Sequence, residues 1–423
     1  MNKSLGKVCV VGLGYIGLPT ASLLATKGYQ VHGVDVSRTA VDGINRGEIH
    51  IYEPDLDVLV KSAVQSGRLK ASLEPSSADV FIIAVPTPFK DGHVPDLSFV
   101  EAATKSIAGW VQPGNLVILE STSPVGTTEQ VAQWLRATNP KLALPAAKQK
   151  ATSGRGPASA QVFVAHCPER VLPGRIMREL VENDRVVGGL DPASAEKAAA
   201  FYRTFVAGQV LLTDCRTAEM CKLTENAFRD VNIAFANELS IICDKLSVDV
   251  WELIRLANHH PRVKILQPGP GVGGHCIAVD PWFIVNSAPD EARLIRTARE
   301  VNDSKPAQVV AAVRQHAAKL KKPVIACLGL SFKADIDDLR ESPAIEIVCR
   351  LAEEKLGTIL VVEPYVSALP AKLAALPVRL VQLQAALVQA DIILLLADHR
   401  EFRAVDRKAL NGKIVLDTRG AWR

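Results

Sequence analysis

Short hydrophobic runs alternate with amphipathic segments along the first half of the chain. Residues 7–12, 30–35, 79–86 and 116–121 are rich in Val and Ile and predict buried strands, and 162–165 predicts another. The segments between them keep a helical spacing of apolar positions. Strands that alternate with helices favour a parallel sheet with right-handed crossovers, so this half predicts an α/β domain.

The middle of the chain has a different pattern. Residues 217–246 contain neither Pro nor Gly and keep a helical period, which predicts a helix about 45 Å long. A second helix is predicted at 250–258, before a loop rich in Gly and Pro at 267–274. A helix this long is either a connector that also forms a dimer interface or an intramolecular spine.

The alternation of strands and helices restarts at Pro323. The four strands predicted after it are 324–329, 358–363, 391–397 and 413–417. No Gly-rich fingerprint follows the first of them, so this region is not expected to bind a dinucleotide in the standard way. The predicted fold class is α/β, with two Rossmann-like, doubly wound domains, 1–205 and 311–423, joined by a central long-helix region, 206–310.

Composition and charge exclude several classes of protein. The 423 residues carry 49 Lys plus Arg and 45 Asp plus Glu, and this excess of +4 does not indicate a nucleic acid or a membrane surface as partner. Eight cysteines are scattered without C-x-x-C spacing, which argues against disulfides and metal sites and suits a reducing cytoplasm. No uninterrupted apolar run is long enough for a membrane span. We therefore expect a cytoplasmic protein.

A glycine fingerprint follows the first predicted strand. Gly12 permits a tight turn, Gly14 lets the backbone approach a pyrophosphate, and Gly17 lets helix and strand pack closely. The next strand ends in Asp35, which is placed to bind the ribose hydroxyls and to repel a 2′-phosphate. NAD is therefore favoured over NADP, although Arg38 could pair with a phosphate.

Hydroxyl groups cluster after two later strands. Residues 85–88 and 121–128 place Thr and Ser at the carboxyl ends of parallel strands, where ligands bind in such sheets. A single Thr at such a position is more often only a helix cap. Two clusters at neighbouring strand ends favour a shared crevice.

One cysteine has an unusual setting. Cys276 follows Gly273, Gly274 and His275, in a loop where a substrate could approach the backbone, and Asp280 follows four residues later. A cysteine alone is more often a buried thiol, but this setting favours a nucleophile. Cys167 is the rival; its place between a strand end and a proline suggests a structural role.

The long predicted helix carries a polar stripe. Lys222, Asn226 and Arg229 recur at helical spacing among apolar positions. This stripe is either a solvated face or a catalytic one, in which a desolvated lysine acts as a general base or stabilises developing alkoxide charge.

These motifs together resemble the UDP-glucose/GDP-mannose dehydrogenase family of nucleotide-sugar 6-dehydrogenases over almost the whole chain. The resemblance rests on 12–17, 121–128, 168–170, 222–226, 273–280 and 329–340. The UDP-glucose branch usually has GGSCFPKD around its cysteine. Here the loop reads GGHCIAVD, which, with the flanking segment 259–263, is similar to the branch that oxidises UDP-N-acetyl-D-mannosamine for enterobacterial common antigen and related surface polysaccharides. UDP-GlcNAc and UDP-glucose are the alternative substrates.

The resemblance implies an NAD-binding domain, a central helical region that forms a homodimer, and a domain that binds the UDP-sugar. It also implies a four-electron oxidation of carbon 6, in which Cys276 forms a thiohemiacetal and then a thioester. Lys222 and Asn226 would stabilise alkoxide and oxyanion charge. Asp280 and Thr122 would organise the hydrolytic water, and Glu169 would act as an acid–base group.

Residue matching to the family also implies the ligand contacts. The residues expected to contact NAD are Gly12, Gly14, Tyr15, Ile16, Gly17, Asp35, Thr87, Thr128 and Arg340. The residues expected to contact the nucleotide sugar are Arg170, Val171, Lys222, Asn226, Arg229, His260, Arg262, Gly273, Phe332, Lys333 and Arg419. Cations suit a diphosphate, although Arg340 and Arg419 could instead form surface ion pairs.

Two points remain open in the sequence. Residues 141–160 are rich in Lys, Ala, Ser, Gly and Pro; they predict a surface loop and look like an insertion relative to the family pattern. The alternative from a different functional class is that the protein is an NAD-binding redox-sensing module with Cys276 as the sensor thiol. That alternative predicts NAD binding without turnover.

Overall fold

The computed structural model describes residues 5–145, 161–274 and 276–423. The chain divides into two compact units, Met1–Thr224 and Glu225–Arg423. Most of the predicted insertion, from residue 146 to 160, lies outside the described residues, as does His275.

Strands and helices alternate through the first unit, as the hydrophobic pattern predicts. Its strands are β1 (Lys7–Val11), β2 (Gln30–Val34), β3 (Leu69–Ser72), β4 (Val80–Ile83), β5 (Phe89–Lys90), β6 (Val94–Pro95), β7 (Leu116–Leu119), β8 (Phe163–His166), β9 (Arg185–Gly189) and β10 (Val210–Asp214). Its helices are α1 (Gly17–Lys27), α2 (Arg38–Asn45), α3 (Leu56–Gln65), α4 (Ser98–Ile107), α5 (Thr127–Thr138), α6 (Ile176–Glu182) and α7 (Pro192–Tyr202).

The main sheet of this unit has the strand order β10-β9-β8-β7-β4-β1-β2-β3. Its central strands are buried on both faces, and all four residues of β7 are fully buried, as expected for a sheet covered by helices. All neighbouring pairs are parallel except β8 and β9, in which Ala165 lies opposite Gly189. The prediction of a parallel sheet is wrong for this pair, because the chain returns to the sheet from the end at which β8 finishes.

The path of the chain through this sheet creates a ligand crevice. From β1 the chain moves to β2 and β3 on one side, then crosses to β4 and β7 on the other. The carboxyl ends of β1 and β4 therefore flank a topological switch point, where ligands bind in open α/β sheets.

The long central helix predicted at 217–246 is confirmed. It is α8 (Cys215–Leu246), which begins two residues earlier than predicted and contains the boundary between the two units. The second predicted helix is α9 (Val250–Ala257). Among the described residues, no helix is both long enough and apolar enough to span a bilayer.

The second unit contains the second predicted α/β sheet. Its strands are β11 (Val324–Leu328), β12 (Thr358–Val362), β13 (Val378–Leu380), β14 (Ile392–Leu395) and β15 (Ile414–Asp417), in the order β13-β12-β11-β14-β15 and all parallel. Its further helices are α10 (Asp280–Ser287), α11 (Arg293–Ala317), α12 (Pro343–Glu353), α13 (Ala371–Ala374), α14 (Leu383–Gln389) and α15 (Arg400–Arg403). The predicted domain limit at 310 falls inside α11.

Candidate active site

Two of the three glycines after β1 have the turn and packing roles that the fingerprint predicts, and Gly14 leaves open space. A Cβ added at Gly12, whose φ is +92°, would lie 2.5 Å from Ala84 O, and one added at Gly17 would lie 1.7 Å from Gly12 O. These two glycines are needed for the tight turn and for the packing of α1 on the sheet. A Cβ at Gly14 would meet no atom within 4 Å among the described residues. Gly14 therefore faces open space, where a pyrophosphate can approach the backbone.

The acid at the end of β2 holds this loop. Asp35 Oδ2 accepts a hydrogen bond from Leu13 N at 2.9 Å, and Oδ1 accepts one from Ser37 N at 2.9 Å. In the described residues, no side chain caps the N-terminus of α1, which contains no acidic residue in its first turn. An open helix N-terminus beside a half-buried carboxylate fits the pyrophosphate and the ribose of a dinucleotide.

The two hydroxyl clusters meet at the neighbouring strand ends. Thr87 Oγ1 donates to Thr122 O at 2.5 Å, and Ser121 Oγ donates to Val85 O at 2.7 Å. Both clusters therefore belong to one crevice, as the sequence predicts. Their hydroxyl groups also tie the loops after β4 and β7 together.

Thr128 has a partner that the sequence did not reveal. Its hydroxyl and its backbone N–H both donate to Glu219 Oε1, at 2.6 Å and 2.7 Å, and Gly126 N donates to Oε2 at 2.6 Å. Burial raises the pKa of the Glu219 carboxyl, and these hydrogen bonds oppose the rise. Glu219 is thus a buried cap for the N-terminus of α5, and no local pattern marks it because it lies 91 residues away from Thr128 along the chain.

The predicted acid–base group lies in a buried ion pair. Glu169 Oε2 accepts from Arg185 Nη1 at 2.5 Å, and Oε1 accepts from Arg170 N at 2.6 Å. Both side chains are almost fully buried. The pair fixes the start of the segment that carries the predicted substrate residues Arg170 and Val171. The acid–base role of Glu169 stays a prediction.

A second buried acid lies beside this ion pair. Tyr202 Oη donates to Glu120 Oε1 at 2.6 Å, and no group in the described residues hydrogen-bonds Glu120 Oε2. Burial, reinforced by the nearby Glu169 carboxylate, raises the pKa of Glu120 to about 7. Cys167 is fully buried in the same cluster, and burial raises the pKa of its thiol to about 12. Cys167 is therefore suited to a structural role rather than to nucleophilic attack.

In the second unit, the candidate nucleophile lies at the start of a helix. Cys276 is half-buried, and its carbonyl accepts hydrogen bonds from Val279 N at 3.1 Å and Asp280 N at 2.8 Å. These bonds form the turn that leads into α10. The same turn fixes the spacing between the cysteine and Asp280.

Two predicted catalytic residues from distant positions are in direct contact. Asn226 Nδ2 donates to Asp280 Oδ2 at 2.5 Å, although 54 residues separate them in the sequence. Asp280 is buried and Asn226 is half-buried. Lys222, also half-buried, lies one turn earlier on α8. The polar stripe on this helix is therefore not simply a solvated face.

A buried polar network between α8 and α11 supports the glycine-rich loop. Asn237 Oδ1 accepts from Gly269 N at 2.8 Å, while Asn237 Nδ2 donates to Asn302 Oδ1 at 2.8 Å. Asp230 pairs with Arg299 at 2.6 Å in the same network. Sequence reasoning missed these residues. Their only local signal is polar side chains at helical spacing within α8 and α11.

A cleft in the second unit brings together the predicted substrate residues of its sheet. The cleft is lined by Pro270, Gly271, Ser331, Phe332, Lys333, Ala334, Pro343, Ala344, Leu396, Ala397, Asp398 and Arg419. Arg419 Nε donates to Asp398 Oδ1 at 2.9 Å. A Cβ added at Gly269 would lie 2.6 Å from Arg419 Nη1, so glycine there lets the guanidinium reach the loop. A cleft with Lys333 and Arg419 suits a diphosphate.

Other predicted contacts lie outside this cleft. Arg229, His260 and Arg262 are exposed and do not line it within the described residues. Arg340 hydrogen-bonds Asp338 in its own loop, through Nε at 2.9 Å and Nη2 at 2.6 Å, which is the ion pair that the sequence left open. Tyr15 and Ile16 are half-buried beside the first glycines.

Comparisons with known proteins match most of the chain to one family. Models of the UDP-glucose/GDP-mannose dehydrogenase family match residues 6–206 with its NAD binding domain, 216–304 with its central domain and 326–423 with its UDP binding domain.

Individual relatives agree with this match. An NDP-N-acetyl-D-galactosaminuronic acid dehydrogenase from Ralstonia nicotianae is 61% identical over 415 residues, 98% of this chain and 96% of the relative. A UDP-N-acetyl-D-mannosamine dehydrogenase from Yersinia pestis is 55% identical over 428 residues, 99% of this chain and 100% of the relative. A solved UDP-D-ManNAc dehydrogenase from Pyrococcus horikoshii is 39% identical, with a TM-score of 0.86 over 99% of this chain and 96% of that one.

Proposed function

Because the chain belongs to the UDP-glucose/GDP-mannose dehydrogenase family and is an NAD-dependent oxidoreductase of nucleotide sugars, we propose that it oxidises carbon 6 of UDP-N-acetyl-D-mannosamine to the carboxylate. The observation that carries the proposal is the turn that links Cys276 to Asp280, whose carboxylate accepts a hydrogen bond from Asn226. A cysteine that lies one turn before such a pair suits a reaction in which an aldehyde must be retained and oxidised again.

The choice of sugar rests on the cysteine loop and on the relatives. The loop reads GGHCIAVD rather than GGSCFPKD. The Yersinia pestis and Pyrococcus horikoshii relatives are named for N-acetyl-D-mannosamine. The second candidate is UDP-N-acetyl-D-galactosamine, because the Ralstonia nicotianae relative is named for N-acetyl-D-galactosaminuronic acid. Either uronic acid is a charged sugar donor suited to surface polysaccharide assembly, including the enterobacterial common antigen that the resemblance implies.

The proposed reaction consumes one water and two NAD, and bound NAD accepts the two hydrides. Gly12, Gly14 and Asp35 would hold the cofactor. Loss of the hydroxyl proton and of the first hydride from carbon 6 leaves an aldehyde, to which the Cys276 thiol adds to form a thiohemiacetal. Loss of the second hydride from that carbon gives a thioester. Water then attacks the acyl carbon and the C–S bond breaks, so that the Cys276 thiolate is expelled and the carboxylate product is formed.

Polar residues near these steps have separate proposed roles. Lys222 and Asn226 stabilise the negative charge that develops on the oxygen at carbon 6. Asp280, held by Asn226, orients the hydrolytic water together with Thr122, and Glu169 serves as an acid–base group. The hydrogen bond between Asn226 and Asp280 supports joint action by these two residues.

We further propose that a second copy of the chain covers one face of α8. Phe228, Phe235 and Ile242 are 70%, 52% and 44% exposed and recur at intervals of seven residues. This heptad spacing places them on one stripe of the helix, as in helix pairs that associate side by side. An identical helix offers a matching stripe, so the expected assembly is a homodimer.

The test of the proposed activity is NADH yield and kcat/KM on UDP-N-acetyl-D-mannosamine, UDP-N-acetyl-D-galactosamine, UDP-GlcNAc and UDP-glucose under identical conditions. We expect two NADH for each sugar oxidised, and the highest kcat/KM with UDP-N-acetyl-D-mannosamine. A higher value with another sugar would overturn the choice of substrate. NAD binding without NADH from any of the four would instead favour the redox-sensing alternative.

A further inference from the structure

One short segment of the second unit carries four of the cleft residues, Ser331, Phe332, Lys333 and Ala334. Residues 331–335 follow β11 and include Phe332 and Lys333, which line the cleft. The segment has no regular secondary structure and ends at Asp335, which has a left-handed φ of +62°. A non-glycine residue in this conformation is strained unless its surroundings hold it in place.

Both ends of this segment are held by one imidazole. His399 Nδ1 accepts a hydrogen bond from Asp335 N at 2.9 Å, and His399 Nε2 lies 3.2 Å from Ser331 Oγ. Because Nδ1 accepts, the neutral ring carries its proton on Nε2. Ser331 Oγ donates its own proton to Lys333 O at 2.7 Å and is free to accept from Nε2. His399 therefore closes the segment into a loop.

A buried carboxylate holds the imidazole. Glu363, at the end of β12, accepts from His399 Nε2 at 3.2 Å, and the same oxygen accepts from Leu330 N at 2.7 Å and Ser331 N at 3.1 Å. Burial alone would raise the pKa of this carboxyl, but the hydrogen bonds from His399 and the backbone hold it below its ordinary value. In the first sheet, Asp35 accepts from the backbone after β1 in a similar way.

The segment also contacts the loop that leads to the cysteine. A Cβ added at Gly273 would lie 2.7 Å from Phe332 Cβ, and one added at Gly274 would lie 3.0 Å from the Phe332 ring. Gly274 N donates to Arg340 O at 3.2 Å. The position of Phe332 and the path of the chain two residues before Cys276 are therefore coupled by close packing.

We propose that His399 is a positioning residue for the nucleotide-sugar site: held by Glu363, it fixes segment 331–335, and through it Phe332 and Lys333, without touching the ligand. His399 and Glu363 are 0% and 5% exposed, so neither reaches the cleft. The effect of His399 on turnover rests on the proposed function. Its effect on UDP affinity can be measured without turnover and does not rest on that function.

Two near-isosteric variants separate the contacts of the two ring nitrogens. His399→Asn keeps an acceptor near Nδ1 for Asp335 N but loses the donor to Glu363. His399→Gln keeps a donor near Nε2 but loses the acceptor. Each variant loses the buried hydrogen bonding of one ring nitrogen, so we expect UDP, titrated by calorimetry, to bind about tenfold more weakly to both. We expect the NAD affinity of both variants to stay within about twofold of the parent value. We also expect KM for the sugar to rise and kcat to change little.

The matched control is Phe402→Leu. Phe402 is fully buried and packs edge-on against His399, with ring centroids 5.3 Å apart, but makes no side-chain hydrogen bond to the segment. We expect this variant to lose stability and to keep its UDP affinity. The proposal is overturned if the Asn and Gln variants bind UDP as the parent does, or if Phe402→Leu weakens UDP binding equally.

A surface variant keeps the test decisive if the buried substitutions prevent folding. Tyr365 Oη donates to Asp335 Oδ1 at 3.2 Å and is only half-buried. We expect Tyr365→Phe to fold and to weaken UDP binding about threefold, and unchanged affinity would count against the proposal. Failure of the parent to oxidise any UDP-sugar would overturn the proposed function instead, because the UDP titration does not depend on turnover.

Discussion

At the scale of single residues, burial separates the two candidate nucleophiles. Cys167 is 0% exposed, and burial raises the pKa of its thiol to about 12, so almost no thiolate forms at neutral pH. Cys276 is half-buried, at the turn before α10. The sequence alone ranked these residues in the same order, because two glycines precede Cys276 closely and a proline follows Cys167.

This difference predicts the outcome of two alanine substitutions. In the proposed mechanism, Cys276→Ala removes the covalent route from aldehyde to acid, so we expect net formation of carboxylate to fall by roughly a thousandfold or more. Cys167→Ala is the control and is expected to keep NADH production within about threefold, measured on folded protein. Full net oxidation by Cys276→Ala would show that another group forms the acyl intermediate.

The acid Glu120 predicts a dependence of stability on pH. Its pKa is about 7 in the folded state against an ordinary value of 4.5, so between these values the folded protein holds a proton that the unfolded chain has released. The free energy of unfolding therefore falls as pH rises through this window. Because one pKa unit corresponds to about 1.4 kcal/mol, titration of Glu120 lowers the free energy of unfolding by about 3 kcal/mol across this window.

Glu120→Gln tests this prediction, because the amide resembles the protonated acid and can still accept from Tyr202. Urea unfolding at several pH values between about 4.5 and 8 is expected to show that the variant gains stability relative to the parent as pH rises. Parallel curves for parent and variant would mean that Glu120 does not titrate in this range.

At the scale of elements, the hydrophobic pattern correctly predicted the helices and strands in which it continues without interruption from end to end. β1, β7 and α8 were found at or within two residues of their predicted positions because their patterns are continuous. Helix α11 was not predicted, and its interior contains Pro306, a residue that ordinarily ends a helix. Tertiary packing that buries Pro306 overrides this local signal.

The apolar stripe on α8 predicts a change of assembly on substitution. Phe235→Asp places a charge in the middle of the stripe, so we expect the protein to shift from dimer to monomer in light scattering coupled to size exclusion. Val388→Asp, at a residue that is 71% exposed on α14, is the matched control and should leave the assembly unchanged. A parent that is already monomeric would rule out the proposed interface.

At the scale of the whole molecule, the two compact units divide the ligands between them. The match to the NAD binding domain, 6–206, lies in the first unit, and the match to the UDP binding domain, 326–423, lies in the second. The small net charge of +4 is consistent with the proposed function, in which a few cations such as Lys333 and Arg419 would suffice for one diphosphate.

This division predicts that each ligand stabilises its own unit. In differential scanning calorimetry, NAD should raise the transition temperature of the first unit, and UDP should raise that of the second. At a hundred times its dissociation constant, each ligand should add about 2.7 kcal/mol to the free energy of unfolding of its unit. Asp35→Ala should abolish the NAD shift and leave the UDP shift intact. If UDP alone stabilised the first unit, the assignment of ligands to units would be wrong.

The sequence alone determined the features that depend on neighbouring residues. Gly12, Gly14 and Gly17 identify the predicted dinucleotide loop because turn geometry and helix packing are local requirements. The length of α8 follows from the absence of Pro and Gly from its sequence. The tertiary structure decided which distant groups meet: Asn226 with Asp280, Glu219 with Thr128, and His399 with segment 331–335. It also decided that β9 runs antiparallel to β8. The physical reason is that a buried polar side chain is specified by the partner that satisfies it, and that partner lies elsewhere in the chain.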